Sequence, residues 1–296
     1  MAEKRYPNLF LVGAMKSGTT SLHNYLAAHP EIFMSRKPFK EAQYFVLERN
    51  WHKGEDWYLG LFTDAGDAKY LGESSTDYSK LPHFQGVPER IARVSPHARI
   101  LYLMRDPVER AVSQYWWEVQ WCGEGRDMLS VLKSMSWLTD LSYYAMQLRP
   151  YIEQFGRENV MAVTTEELSG RPQDVMRGIF DWLGVNPDCD ADGFGKRHNI
   201  SPDKVTQLVG APLLSRLRGG PVWNAVKRVV PLKARQRMLR KLSRPVARDN
   251  RRTEAAIEYL RPIQREQTAE LSALLGRDFP DWKTLYGEEV AGQPAG

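Results

Sequence analysis

The 296-residue chain predicts an α/β fold: a mostly parallel, five-stranded sheet with helices on both faces. Three observations lead there. Short, almost wholly apolar runs at Leu9–Val12, Arg99–Met104 and Asn159–Thr164 read as strands covered on both faces, the usual state of parallel strands. Segments with apolar residues at helical spacing separate these runs, and strands alternating with helices belong to a layered α/β architecture. A glycine-bounded loop, Gly13 to Gly18, joins the first strand to the first helix.

The elements follow in order. Thr19–Leu26 reads as a helix with Leu22 and Leu26 on one face, and Pro30 bounds it. Glu31–Met34 is a short second strand. Asn50–Phe62 carries Trp51, Trp57, Tyr58 and Phe62, read as packing on the core, with an acceptor cleft as the alternative. Tyr70–Gly72 is the third strand and Arg99–Met104 the fourth. Pro107 suits the first turn of a helix over Val108–Val119, where Tyr115, Trp116, Trp117 and Trp121 read mainly as core, with one of them near an acceptor. Trp137–Gly156 reads as one helix and Asn159–Thr164 as the fifth strand. Gly184 stops a helix over Pro172–Leu183. Ile257–Leu275 is a last amphipathic helix; Phe279 and Trp282 close the domain, and Glu288–Gly296 should fray.

Hydrophobic content of 42% and charged content of 26% fit a soluble globular chain, read as a single domain over 1–296. No apolar run reaches the roughly 18 residues of a membrane span. Polar residues Met1 to Pro7 lead straight into the first strand, unlike an ordinary signal peptide. Two cysteines, Cys122 and Cys189, make no metal or disulfide framework, so a reducing cytoplasm is expected. The net charge of +5 is uneven: Leu213–Arg252 holds 13 Lys and Arg against one acid, leaving −7 for the rest.

The loop carries the chemistry. A strand, a glycine loop and a helix N-terminus cradle an anion through backbone N–H groups and the helix dipole. Gly13 and Gly18 hold the glycine spacing of the Walker pattern, but Thr19 stands where its lysine belongs, and Thr20 holds the hydroxyl place. The loop's lysine is Lys16. The fold is therefore P-loop-like and three-layered, without a clear Mg²⁺-holding set.

The run Lys16-Ser-Gly-Thr-Thr-Ser-Leu22 resembles the 5′-phosphosulfate loop of sulfotransferases that use 3′-phosphoadenosine 5′-phosphosulfate (PAPS). The variant is similar to the carbohydrate branch, which includes the heparan-sulfate enzymes and bacterial relatives. The resemblance implies PAPS binding by Lys16, Ser17, Gly18, Thr19, Thr20 and Ser21. Arg105-Asp-Pro-Val-Glu-Arg-Ala-Val-Ser113-Gln-Tyr115 resembles the family's 3′-phosphate motif, with Arg105 and Ser113 as the grip: a planar guanidinium and a hydroxyl. Lys40-Glu41 followed by Tyr44-Phe45 resembles an element whose glutamate takes the acceptor's proton, which makes Glu41 the base. Gly72-Glu-Ser-Ser-Thr-Asp-Tyr78 resembles a segment beside the active site. The nearest histidine, His83, reads as a surface residue. Phe194–Asn199 resembles a late loop closing over the nucleotide, with Lys196 and Arg197 as contacts, although the family pattern there is closer to K-G-R-x-H-P.

The resemblance implies sulfuryl transfer from PAPS to a hydroxyl of a carbohydrate, glycolipid or small natural product, by in-line displacement, giving PAP, with Lys16 and Glu41 catalytic and no metal. Two alternatives stand. A P-loop small-molecule kinase needs a lysine near Thr19, where the sequence has none, and a Mg²⁺-binding acid, for which Asp106 is the candidate. A non-catalytic nucleotide-binding protein could be held at the inner membrane face by residues 213–252. Within that basic segment Val222–Leu242 reads as two short amphipathic helices broken at Pro231: a lid, a membrane-surface element or a solvated flap. It lacks a recognised nucleic-acid module. Acceptor identity and oligomeric state are not encoded in any motif.

Overall fold

The computed structural model describes residues 4–36, 40–189 and 252–287, and the backbone of 205–208 and 243–246. Strands β1 (Leu9–Gly13), β2 (Ile32–Met34), β3 (Tyr70–Ser74), β4 (Arg99–Met104) and β5 (Val160–Thr164) form one sheet in the order β2-β3-β1-β4-β5. Every pairing in it is parallel. The predicted sheet is the observed one.

The strand sequences are apolar throughout because both faces are covered. Leu9 and Leu11 of β1, with Leu101 and Leu103 of β4, face helices α1 (Thr19–Leu26) and α9 (Pro172–Leu183) through Leu22, Leu26, Ile179 and Phe180. Phe10, Val12, Ile100, Tyr102 and Met104 face the opposite layer. There α3 (Val87–Val94), α4 (Pro107–Trp117), α7 (Tyr144–Phe155) and α10 (Thr253–Leu275) contribute Ile91, Ala111, Leu148 and Leu260. Burying each such aliphatic side chain contributes about 1.5–3 kcal/mol, so the two layers together lock the central strands.

Three helical readings change. The single helix read over 137–156 is two, α6 (Trp137–Asp140) and α7. Between them the Ser142 hydroxyl donates to the Pro107 carbonyl at 2.9 Å and accepts from Arg110 Nε at 2.5 Å. Tertiary bonds thus override local periodicity. Helix α4 stops at Trp117 and widens into a π-helical turn over Glu118–Cys122. Helix α10 begins at Thr253, a turn before its first large apolar residue. Within the basic segment, beyond the stretch read as helical, Ser243–Val246 is a strand, β7, antiparallel to β6 (Val205–Leu208). The remainder of 213–251 lies outside the described residues. Among the described residues no helix is long and apolar enough to cross a membrane.

Two features of the central strands set sharp constraints. A Cβ on Gly13 would meet Ser79 Oγ at 2.1 Å and Tyr102 Cε2 at 2.6 Å, and Ser79 is pinned there by its bond to the Val12 carbonyl (2.8 Å). Glu73, inside β3, is fully buried, and Tyr58, Tyr78 and Ser75 lie beside its carboxyl without close hydrogen-bond geometry. Burial pushes Glu73 up to about 7, against the weaker pull of those hydroxyls.

Gly13→Ala should therefore destabilise the protein by about 3 kcal/mol through overpacking, measured by urea melts. Parent-like stability would mean that the strand end has room to shift. For Glu73 the sign follows from its raised value: the folded state holds a proton that the unfolded chain releases, so this contribution is whole below about pH 4.5 and is lost as pH rises through about 7. Relative to the parent, Glu73→Gln should gain about 2–3 kcal/mol between about pH 5 and pH 8. A difference that does not vary with pH would refute the buried, proton-holding state.

Candidate functional site

The sheet order creates the site. From β1 the chain passes to β2 and β3 on one side; from β4 it passes to β5 on the other. A crevice opens where neighbouring parallel strands send their connections in opposite directions, here beyond the C-terminal ends of β1 and β4. The glycine loop leaves β1 at that edge and Arg105 leaves β4 beside it. A cleft of about 1520 Å³ lies over both.

Its floor is the loop. Lys16 has φ +73° and Gly18 φ +88°, a left-handed pair that turns the chain abruptly into α1. No side chain caps α1 and its first turn holds no acid, so the Thr19 and Thr20 amides and the positive end of the helix remain available to an anion. Lys16, Ser17, Gly18, Thr19, Thr20 and Ser21 all line the cleft. The loop is tied to β4 by the Ala14 amide on the Leu103 carbonyl (2.7 Å) and to the start of α8 (Thr165–Gly170) by the Thr165 hydroxyl on the Ser17 carbonyl (2.6 Å). Burial lowers the Lys16 ammonium below its ordinary value, with further lowering from Arg105 and Arg110.

Arg105 and Ser113 line the same cleft. The Arg105 guanidinium rests on Glu109 Oε2, with Nε at 3.1 Å and Nη2 at 2.5 Å. Glu109 is oriented in turn by the Thr284 hydroxyl on its other oxygen, at 2.9 Å. Asp106 behaves differently. Its Oδ1 accepts from the amides of Val108 (2.9 Å) and Glu109 (3.2 Å), and Oδ2 from the Leu285 amide (2.9 Å). It is a helix cap with both oxygens committed to backbone, and it is not among the cleft-lining residues, so the acid that a kinase would need for Mg²⁺ is engaged elsewhere.

Glu41 also lines the cleft and accepts from the Thr76 hydroxyl at 3.1 Å. Beside it Lys40 Nζ donates to Thr19 Oγ1 (3.2 Å) and Thr20 Oγ1 (3.3 Å), reaching back to the start of α1. Burial lowers the Lys40 ammonium too, with Glu41 opposing in part. Farther along, Asp77 gathers Lys80 Nζ (2.5 Å), Gln43 Nε2 (2.8 Å) and Arg49 Nε (3.0 Å) at the cleft wall.

Of the aromatic residues read near α4, Trp116 and Trp117 both line the cleft, joined by Trp137. Trp121 is exposed instead, and Tyr115 is buried with its hydroxyl on the Arg126 carbonyl. In the 50–62 stretch Tyr58 and Phe62 are core residues, and Tyr58 stacks on Tyr44 with centroids 4.3 Å apart. His83 is partly exposed, 3.7 Å from Asp140, and does not line the cleft. Lys196 and Arg197 lie outside the described residues. Arg252, the last residue of the basic segment, does reach the cleft rim. The sequence reading passed over Lys40, Thr76, Lys80 and Trp137. Lys40 and Thr76 stood inside quoted motifs; Lys80 and Trp137 had no local signal.

A family model described as the Sulfotransferase family matches residues 7–188. The human bifunctional heparan sulfate N-deacetylase/N-sulfotransferase 2 is 30% identical over 204 residues, covering 62% of this chain and 22% of that protein. The mouse bifunctional heparan sulfate N-deacetylase/N-sulfotransferase 4 is 29% identical over 202 residues, covering 61% and 22%. The chain thus spans about a fifth of the length of these relatives. The crystal structure of a sulfotransferase from Alicyclobacillus acidocaldarius superposes with a TM-score of 0.66 at 26% identity, over 94% of this chain and 99% of that one. With the family model matching well over half of its residues, and the loop, strand order and cleft arranged as described, the chain belongs to the sulfotransferase family.

Proposed function

We propose that this protein transfers a sulfuryl group from PAPS to a hydroxyl of a carbohydrate, glycolipid or small natural product, releasing PAP. The observation that carries the reading is that Lys16 with the α1 N-terminus, and Arg105 with Ser113, line one cleft from two neighbouring strand ends. Such a pair of anion grips suits a nucleoside carrying phosphate at both ends of its ribose. The carbohydrate or natural-product acceptor draws support from the heparan sulfate relatives and from Trp116, Trp117 and Trp137, flat apolar surfaces beside the hydrogen-bonding groups of Asp77 and Lys80.

The residues fit the donor. Lys16 and Arg105 line the cleft at the loop and the β4 end, and Lys40 reaches the loop through the Thr19 and Thr20 hydroxyls; Glu41 lies 4.0 Å from Lys40, and Glu109 pairs with Arg105. That positive excess suits a ligand with several negative charges. Bound PAPS supplies an activated sulfuryl group whose bond to the 5′-phosphate breaks during transfer. Glu41 takes the acceptor's hydroxyl proton as the new oxygen–sulfur bond forms. Lys16 and the α1 amides receive the negative charge left on the 5′-phosphate oxygen. Arg105 and Ser113 hold the 3′-phosphate, which fixes the donor's direction along the cleft. The Thr76 hydroxyl keeps the Glu41 carboxylate turned into the cleft.

The test uses radiolabelled PAPS with a panel of sugar, glycolipid and phenolic acceptors. Lys16→Ala should lower transfer about 100- to 1000-fold, the cost of losing a charge-stabilising group, with an unchanged melting temperature. Glu41→Gln should lower turnover about 100-fold or more while PAP still binds. Parent-like rates in either variant would count against the assigned roles. PAP binding without turnover of any acceptor by the parent would point to a nucleotide-binding protein instead.

A further inference from the structure

The described residues include lysines of similar burial in very different electrostatic settings. Lys80, with 9% of its side chain exposed, has Asp77 Oδ1 at 2.5 Å. Its charge is matched by a close carboxylate. Among the described residues, Lys40, with 23% exposed, has no carboxylate closer than Glu41 Oε1 at 4.0 Å, beyond hydrogen-bond length. Its hydrogen bonds go instead to two neutral hydroxyls, Thr19 Oγ1 and Thr20 Oγ1. An ammonium withdrawn from water and bonded only to hydroxyls is incompletely compensated. Those two hydroxyls belong to the first turn of α1, where the amides are uncapped. The first turn of α1 is also the place where the glycine loop departs from the Walker pattern, with Thr19 in the position of the missing lysine.

We propose that Lys40 is the second lysine of the anion cradle: it binds the 5′ end of the donor beside the Thr19 and Thr20 hydroxyls, at the start of α1. The assignment rests on the donor reading given above. A short segment from a different part of the chain thereby returns a lysine to the place that Thr19 vacates. The Thr19 and Thr20 hydroxyls hold the ammonium at the helix N-terminus, and a 5′-phosphate or phosphosulfate there supplies a closer negative partner than Glu41 at 4.0 Å. Glu41 is the next residue along the chain, so the group that senses the donor and the carboxylate facing the acceptor share one backbone segment.

The experiment compares two nucleotides that differ only at the 5′ end, using the full chain and calorimetry. Adenosine 3′,5′-bisphosphate carries both phosphates; adenosine 3′-monophosphate keeps only the one assigned to Arg105 and Ser113. Lys40→Met should raise the bisphosphate dissociation constant about 10- to 100-fold, as expected for a lost charge-assisted bond. Binding of the 3′-monophosphate should stay within about twofold of the parent. Lys40→Gln should follow Lys40→Met, and Lys40→Arg should restore much of the loss. Unchanged bisphosphate affinity in Lys40→Met would overturn the proposal. So would an equal loss for both nucleotides, which marks a structural or diffuse electrostatic role. A parent that does not prefer the bisphosphate overturns the donor reading itself and Lys40's role with it, a result distinct from the other two.

Discussion

A helix that starts directly beyond a buried parallel strand projects its unpaired amides and positive end past the sheet edge. In this protein the strand is the central one, and everything else in the site is arranged around that exposed helix start. It needs a glycine at the strand end, because Ser79 and Tyr102 occupy the space of a side chain at Gly13. It needs a left-handed turn at Lys16 and Gly18 to bring α1 back over the sheet. It needs β4 as the next strand, so that Arg105 emerges beside the loop rather than across the molecule. The cleft is a consequence of topology first and of side chains second.

Electrostatics then tunes what the cleft accepts. Lys16 and Lys40 are both held below the ordinary lysine value, chiefly by burial, and both stand near the α1 start. Behind them Arg110 is fully buried and hydrogen-bonded to neutral groups, Ser142 Oγ, Gln114 Oε1 and the Leu138 carbonyl; among the described residues no carboxylate pairs with it. Burial brings Arg110 down to about 10. Glu109 holds Arg105 in place, and Glu41 stands apart beside Lys40 and Thr76, free of a tight ion pair. Under the proposed function, orienting Arg105 and taking the acceptor's proton fall to different carboxylates.

Much of this was legible in the sequence, and what was not had physical reasons. Helices Thr19–Leu26 and Pro172–Leu183 and strand Arg99–Met104 have the observed limits, because local signals set their ends. The loop and the Arg105 motif stood out because each carries unusual residues at fixed spacing, and both line the cleft. The break at Leu141–Tyr143 was hidden: it depends on Ser142 bonding to Pro107 and Arg110 more than 30 positions earlier. The β6–β7 ribbon pairs segments about 40 residues apart and carries no strand-like alternation. Lys40 looked like a companion of Glu41; only the fold brings it to Thr19 and Thr20. Trp137 joins Trp116 and Trp117 through packing of α6 on α4, which no spacing encodes.

The central claim is that one cleft holds a single nucleotide by both phosphates, in a fixed direction. A crystal structure of the full chain with adenosine 3′,5′-bisphosphate tests it most directly. The account predicts the 5′-phosphate on the α1 amides within reach of Lys16, and the 3′-phosphate on Arg105 and Ser113. A nucleotide bound in the opposite direction, or one that touches the loop while its 3′-phosphate stays away from Arg105, would contradict it.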